Sequence, residues 1–145
     1  MLPDVNVLVN AFRRDAPEHD RCRRWLEAGV NGEARFGMSP QVMAAVIRVT
    51  THPRVFKQPS ALDEVLGFAD VLLNHPSAVM IQPGDTHWSV FTRLCRQAAA
   101  AGNLVPDAWF AALAIESGCE WITLDRDYSR FEGLKWRTPA TATNS

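Results

Sequence analysis

The sequence predicts a single α/β domain with a short, mainly parallel sheet between helices. Two observations predict it. Short β-branched runs alternate along the chain with longer segments whose apolar residues recur every three to four positions, the order from which parallel sheets are wound. In addition, the chain has 145 residues, 47% hydrophobic and 21% charged, and one core is the expectation at this length because domains run roughly 100–200 residues. The same composition excludes a disordered chain, a collagen-like chain and a coiled coil.

The elements follow in order. Leu2 to Leu8 is a short β-branched run holding one acid and one amide, which predicts the first strand. Asp15 and Glu18 have capping-box spacing with Pro17 between them, so a helix follows, carrying Cys22, Trp25 and Leu26 on one face and stopped by Gly29 and Gly32. Arg35 to Met38 reads as a strand. Ser39-Pro40 places an N-cap before a proline at the first helical position. The helix it opens buries Val42, Met43, Val46 and Ile47 and ends near His52-Pro53. Ser60 and Asp63 open another, with an apolar stripe at Leu62, Val65, Leu66, Ala69, Leu72 and Leu73. Ala78 to Ile81 is a strand, and Thr86 starts a helix with Trp88, Phe91, Leu94, Cys95 and Ala98 inward. After an exposed loop over 102–106, Pro106-Asp107 opens a run that is apolar nearly all round and stopped by Gly118. Glu120 to Leu124 and Leu134 to Arg137 are the last strands. Thr138 to Ser145 is a small, polar tail expected to fray.

Bulk charge names no partner: Lys and Arg number 15 against 16 Asp and Glu. A neutral sum can conceal a local basic patch. Three cysteines without a CxxC pair argue against a disulfide framework or a structural zinc site and suggest reduced thiols and the cytoplasm. No run approaches the ~18 apolar residues of a membrane helix, and the N-terminal run, interrupted by an acid and without a basic flank before it, does not read as a signal peptide.

Ligands of open α/β sheets bind beyond the carboxyl ends of the strands. Three acids qualify by position. Asp4 lies in the first strand with Asn6 two residues on, hence on the same face; the bland alternative is an edge acid that caps the next turn. Asp107 opens the most apolar helix and reads equally as its N-cap. Asp125 follows the strand at 121–124, with Asp127 beyond it in what is otherwise an ordinary acidic turn. If these segments converge, the carboxylates would suit Mg²⁺ or Mn²⁺, which take oxygen ligands, lower the pKa of bound water and stabilise phosphoryl charge. No phosphate-binding glycine loop, nucleophile elbow or HExxH spacing competes. His19, His52, His75 and His87 read as surface or cap residues. An aspartyl-phosphate phosphatase would want a second acid where Asn6 stands.

Asp4-x-Asn6-Val7-Leu8, Gly102-Asn103-x-x-x-Asp107-Ala108 and Thr123-x-Asp125-Arg126-Asp127-Tyr128 with Phe131 resemble the motifs of the PIN-domain ribonucleases. More closely, the chain resembles the VapC toxins of VapBC toxin–antitoxin pairs. Ser39-Pro40 through Val49, His52 through Phe56 and Leu134-x-Trp136 extend the likeness, in order, over residues 1–137. The resemblance implies a three-layer α/β/α PIN-like domain over 1–137, followed by the polar tail at 138–145. It implies Mg²⁺- or Mn²⁺-dependent endoribonuclease activity on structured RNA such as a tRNA or rRNA loop, a cognate VapB-like antitoxin, and a homodimer. By position, Asp4, Asp107 and Asp125 would be the metal-binding acids, Asp127 an auxiliary, and Asn6 and Thr123 the groups that orient them. Arg13, Arg14, Arg48, Arg126 and Arg130 are the candidates for RNA contact, and Trp109 or Tyr128 for base stacking. One departure stands out. The family's usual Glu on the helix after Ser39-Pro40 falls here on Ala45, three residues before Arg48, so an impaired nuclease that only binds RNA or antitoxin is the alternative expectation.

Overall fold

Every strand predicted from the sequence forms, each trimmed to two or three residues, and the parallel order holds. The computed structural model describes residues 1–140. The chain runs β1 (Leu2–Pro3), α1 (Val5–Phe12), α2 (His19–Asn31), β2 (Phe36–Met38), α3 (Pro40–Thr50), α4 (Leu62–Leu73), β3 (Ala78–Met80), α5 (His87–Gln97), α6 (Leu104–Ser117), β4 (Trp121–Ile122) and β5 (Trp136–Arg137). A 3₁₀ turn, Arg126–Arg130, lies between the last two strands.

β1 pairs in parallel with β4, and β4 with β5. β2 pairs in parallel with β3. A bond from the Gly37 N–H to the Met1 carbonyl, 2.8 Å, sets the two ladders side by side in the order β3-β2-β1-β4-β5. Gly37 is required there: a Cβ would stand 3.0 Å from Ile81 Cγ1 and 3.2 Å from the Met1 oxygen, so a side chain would prise the seam open. α1 packs on α2 and α3, and α5 on α6. The core runs through Leu2, Val7, Leu8, Met38, Val46, Leu113, Trp121 and Ile122. Because the strands are parallel, Asp4 after β1, Ser39 after β2 and Thr123–Asp125 after β4 leave the sheet on one edge.

Several local expectations change. The run after Leu2 is not one long strand: β1 ends at Pro3, and α1 begins at Val5 with Asp4 as its N-cap. Val7, Leu8, Val9 and Ala11 are all buried, so tertiary burial overrides the strand preference of β-branched residues, which is only a weak bias. Asp15 does not cap α2, which starts at His19 without a side-chain cap; Asp15 pairs with Arg13 instead, 2.6 Å. α2 runs through Gly29 and stops at Gly32. Ser39 does cap α3, its Oγ accepting from Val42 N–H at 3.2 Å. On α4, Val65, Ala69 and Leu72 are buried, but Leu62 is 54% exposed. Trp88 faces outward at 64% exposure, and its neighbour His87 is buried in its stead, its Nε2 3.0 Å from the Trp109 carbonyl oxygen. α6 starts at Leu104, so residues 104–106 are its first turn rather than loop and Asp107 lies inside the helix, not at its cap. Gly118, at φ 70°, ends it in the left-handed conformation that glycine tolerates. In the predicted tail, Pro139 is buried and its carbonyl accepts from Arg21 Nε at 2.9 Å; residues 141–145 lie outside the described residues. Among the described residues no helix is long and apolar enough to cross a membrane.

Candidate active site at the carboxyl edge of the sheet

A cleft of about 480 Å³ opens at this edge, and Asp4, Asp107 and Asp125 all line it, with Asn6, Ala45, Arg48, Val55, Phe56, Phe110 and Tyr128. The three acids are separated by 103 and 18 positions in sequence (107 − 4 and 125 − 107), so only the fold brings them to one wall.

Asp4 is the most constrained. It is 5% exposed. Its Oδ1 accepts from the Val5 N–H at 2.6 Å, which is the helix cap, and its Oδ2 accepts from the Thr123 hydroxyl at 2.7 Å and from Asn6 Nδ2 at 3.2 Å. Its own N–H donates to the Ile122 carbonyl at 2.8 Å. Burial pushes its carboxyl up to about 7, against the lowering effect of Thr123 and Val5, and the charges of Asp107 and Asp125 raise it further.

Thr123, wholly buried, is the hub. Its hydroxyl donates to Asp4 and accepts from the Asp125 N–H at 3.0 Å and from Asn6 Nδ2 at 3.2 Å. Asn6 closes the ring by accepting the Leu124 N–H on its Oδ1, 3.0 Å. One amide and one hydroxyl thus tie the end of β1 to the end of β4. Asp125 caps the 3₁₀ turn, its Oδ1 accepting from the Asp127 N–H at 2.9 Å.

Asp107 enters the cleft from the first turn of α6, where the helix end favours negative charge. Partial burial raises its carboxyl above the usual range, while the hydroxyl of Tyr128 and the charge of Arg130 pull it back. Tyr128 donates to Asp107 Oδ1 at 3.2 Å.

The remaining candidates scatter. Asp127 is three-quarters exposed, 3.8 Å from Arg130, and does not line the cleft. Arg48 does line it and is exposed. Arg14, Arg126 and Arg130 are exposed but stand outside its lining. Arg13 is spent on the fold: it pairs with Asp15, donates to the Gln58 carbonyl and Ser60 hydroxyl at 2.8 and 3.0 Å, and lies 4.0 Å above the Phe56 ring. It therefore pins the segment between α3 and α4 whose Val55 and Phe56 wall the cleft. Arg13→Ala is expected to cost about 1–2 kcal/mol through lost packing and orphaned partners, read as a lower melting temperature. Neither aromatic is placed to stack a base freely. Tyr128 is 2% exposed, and Trp109 packs against His87, centroids 4.2 Å apart, and donates to Gln41 Oε1 at 2.5 Å.

The Tyr128–Asp107 bond and the loop-pinning role of Arg13 escape sequence reasoning. Nothing in the spacing signals that a phenol 21 positions downstream reaches Asp107. For Arg13 there is a faint signal, since Asp15 lies two residues on.

Chemically, the cleft is a wall of carboxylates in a half-enclosed pocket, with a cation at its lip and no nucleophilic Ser or Cys among its lining residues. Among the described residues no three His, Cys, Asp or Glu side chains already stand together as a closed cage for an ion. The donor set nevertheless fits a hard divalent cation that keeps most of its own water, as Mg²⁺ does. Clustered like charges also gain more from such an ion than from standing empty.

Comparison with known proteins identifies the family and the fold. A protein-family model described as PIN domain matches residues 1–134. Ribonuclease VapC43 of Mycobacterium tuberculosis is 40% identical over 136 residues, covering 94% of this chain and 92% of the relative. Ribonuclease VapC25 of the same organism is 35% identical over 138 residues, 95% and 97%. Among solved structures, VapBC2 from Rickettsia felis bound to a promoter DNA fragment superposes with a TM-score of 0.67 at 16% identity, covering 94% of this chain and 96% of that one. Mycobacterium tuberculosis VapC20, a sarcin–ricin loop cleaving toxin, gives 0.62 at 14%, covering 92% and 98%. With a family match spanning nearly the whole chain and relatives above 30% identity end to end, this chain belongs to the PIN domain family, in the group of the VapC ribonucleases.

Proposed function

We propose that this chain is the endoribonuclease toxin of a VapBC-type pair, that it hydrolyses phosphodiester bonds of structured RNA, a tRNA or rRNA loop, with the help of Mg²⁺ or Mn²⁺, and that a VapB-like antitoxin neutralises it. The observation that carries the reading is the meeting of Asp4, Asp107 and Asp125 in one cleft from three remote segments. The names of its relatives support the ribonuclease class, and solved complexes of VapC with VapB support the kind of partner. The family resemblance adds a homodimer and a cytoplasmic location to the same proposal.

Asp4, Asp107 and Asp125 would hold the ion; when bound, it supplies a water of lowered pKa and offsets charge on the phosphoryl group. The protein's own part is to hold and aim the acids. Thr123 and Asn6 fix Oδ2 of Asp4 and the Val5 N–H fixes Oδ1, so the carboxylate does not reorient as charge develops. Arg48, which lines the same cleft, suits a backbone phosphate of the bound RNA. Phe56 and Phe110 exclude water from part of its wall.

Purified protein incubated with tRNA and rRNA is expected to cut with Mg²⁺ or Mn²⁺ and to stop on addition of EDTA. Failure to cut any RNA under those conditions would remove the enzyme reading. Ala45 favours a second one, since it lines the cleft where the family usually places a carboxylate: a domain that holds RNA or antitoxin without cutting. Ala45→Glu separates the two, for a gain of cleavage from an inert parent marks an impaired site, whereas an active parent shows that three acids suffice.

A further inference from the structure

We propose that Tyr128 is the positioning residue of the metal site, a rigid hydroxyl that fixes one oxygen of Asp107 so that the other faces the ion. The inference rests on the metal-dependent reading above and deepens it.

Three observations carry it. First, Tyr128 is the one hydrogen-bond partner of the Asp107 carboxylate among the described residues, at 3.2 Å, whereas Asp4 has three donors. Without the phenol, Asp107 would be held by its helix alone. Secondly, the ring cannot wander. Tyr128 is 2% exposed and packs 5.5 Å from Trp121 and 5.8 Å from Phe131, centroid to centroid. Buried as it is, it still borders the cleft. Thirdly, Tyr128 sits on the 3₁₀ turn that Asp125 caps, so the bond fastens α6 to the turn bearing the third acid. Thr123 joins Asp4 to Asp125, and Tyr128 joins Asp125's turn to Asp107. All three acids thereby share one hydrogen-bonded frame. The link gains importance because Ala45 contributes no fourth carboxylate to the cleft.

The sequence contains a single tyrosine, which gives the test a reporter. In protein labelled with carbon-13 at the tyrosine ζ carbon, the one tyrosine resonance is expected to shift as Mg²⁺ is titrated. Calorimetry with Mn²⁺ should show Tyr128→Phe binding about three- to tenfold more weakly, the loss expected when one carboxylate side chain must be immobilised by the ion itself. RNA cleavage should lose kcat by a similar factor with KM unchanged. On an Asp107→Asn background, Tyr128→Phe should change Mn²⁺ affinity no further. If Mn²⁺ binds the parent and Asp107→Asn weakens it, but Tyr128→Phe binds as the parent does and the tyrosine resonance stays still, the positioning role is overturned and the metal reading stands. If Mn²⁺ does not bind the parent, both fall together. Should Tyr128→Phe prove unstable, the Mg²⁺-dependent shift in the parent still decides: a static resonance at saturating Mg²⁺ overturns the proposal.

Discussion

Asp4→Asn is expected to lower RNA cleavage at least about a hundredfold, the scale of removing one preorganised electrostatic group from a reacting centre, while the domain stays folded. The substitution is nearly isosteric and keeps the structural half of Asp4's work. Asn caps a helix about as well as Asp, so the 2.6 Å bond from the Val5 N–H survives on the amide oxygen. What disappears is the second anionic oxygen, the one that accepts from Thr123 and Asn6. There the Asn amide nitrogen meets the Asn6 amide donor, and the Thr123 hydroxyl, which already accepts from the Asp125 N–H and from Asn6 Nδ2, can take the new donor only by releasing the Asn6 one. The ring between β1 and β4 therefore loosens at a cost of about 1–2 kcal/mol, while the Leu124 N–H bond to Asn6 Oδ1 still ties the two ends. Single-turnover cleavage, Mn²⁺ calorimetry and thermal melting on the same preparation would check the claim. Parental cleavage by Asp4→Asn would remove Asp4 from the site. A melting temperature collapsed by tens of degrees would show that Asp4 is chiefly a structural cap.

The fold class is legible because strand and helix signals alternate and because Ser39-Pro40 and Gly118 punctuate the chain at the places where α3 starts and α6 stops. Less legible is α1. Val5 and Val7 look like strand residues, and it is the burial of Val7, Leu8, Val9 and Ala11 on α1, which packs on α2 and α3, that makes a helix of the run. The difference matters for the site: a strand over residues 2–8 would leave Asp4 within the sheet, whereas β1 ends at Pro3 and sets Asp4 at its carboxyl end. Its role changes too, from a same-face partner of Asn6 on a strand to a helix cap that Asn6 reaches from the first turn. Asp107 shows the opposite case: its place beside the most apolar helix is visible in the sequence, but its register is not. Three further residues of helix precede it and turn it from the cap toward the cleft. The arginines are the least legible. Five cations near strand ends suggest one basic rim; Arg48 lines the cleft while Arg13 is consumed by Asp15, Gln58 and Phe56. Sequence position fixes which end of the sheet a side chain leaves, but long flexible side chains choose among neighbours that only tertiary structure supplies.

The metal-free protein is expected to lose stability between about pH 5 and pH 8, and a divalent ion to restore it. Asp4 sets the sign. Its carboxyl titrates near 3.8 in the unfolded chain and at about 7 in the fold, so the fold prefers the protonated form. Its contribution is fully present below the unfolded value and is lost as pH rises through the folded one. Asp107 is raised in the same direction and extends the effect. The fall expected from Asp4 between pH 5 and 8 is on the order of 2–3 kcal/mol, since each pH unit lying between the unfolded and folded values costs about 1.4 kcal/mol. Asp15 and Glu116 are held below their usual values, so they act in the opposite sense, but only as pH falls into the ordinary carboxylate range. Binding of Mn²⁺ requires the deprotonated acids and competes with these protons. Added Mn²⁺ should therefore raise the melting temperature most at pH 8 and little at pH 5. Asp4→Asn should flatten the metal-free profile and reduce the rise with Mn²⁺. Melting curves in EDTA and in millimolar Mn²⁺ across that range test each part separately. A metal-free profile that climbs toward pH 8 would show that Asp4 is ionised in the fold at no cost. Its three donors would then already compensate the charge, and the cleft would have no electrostatic reason to gather an ion.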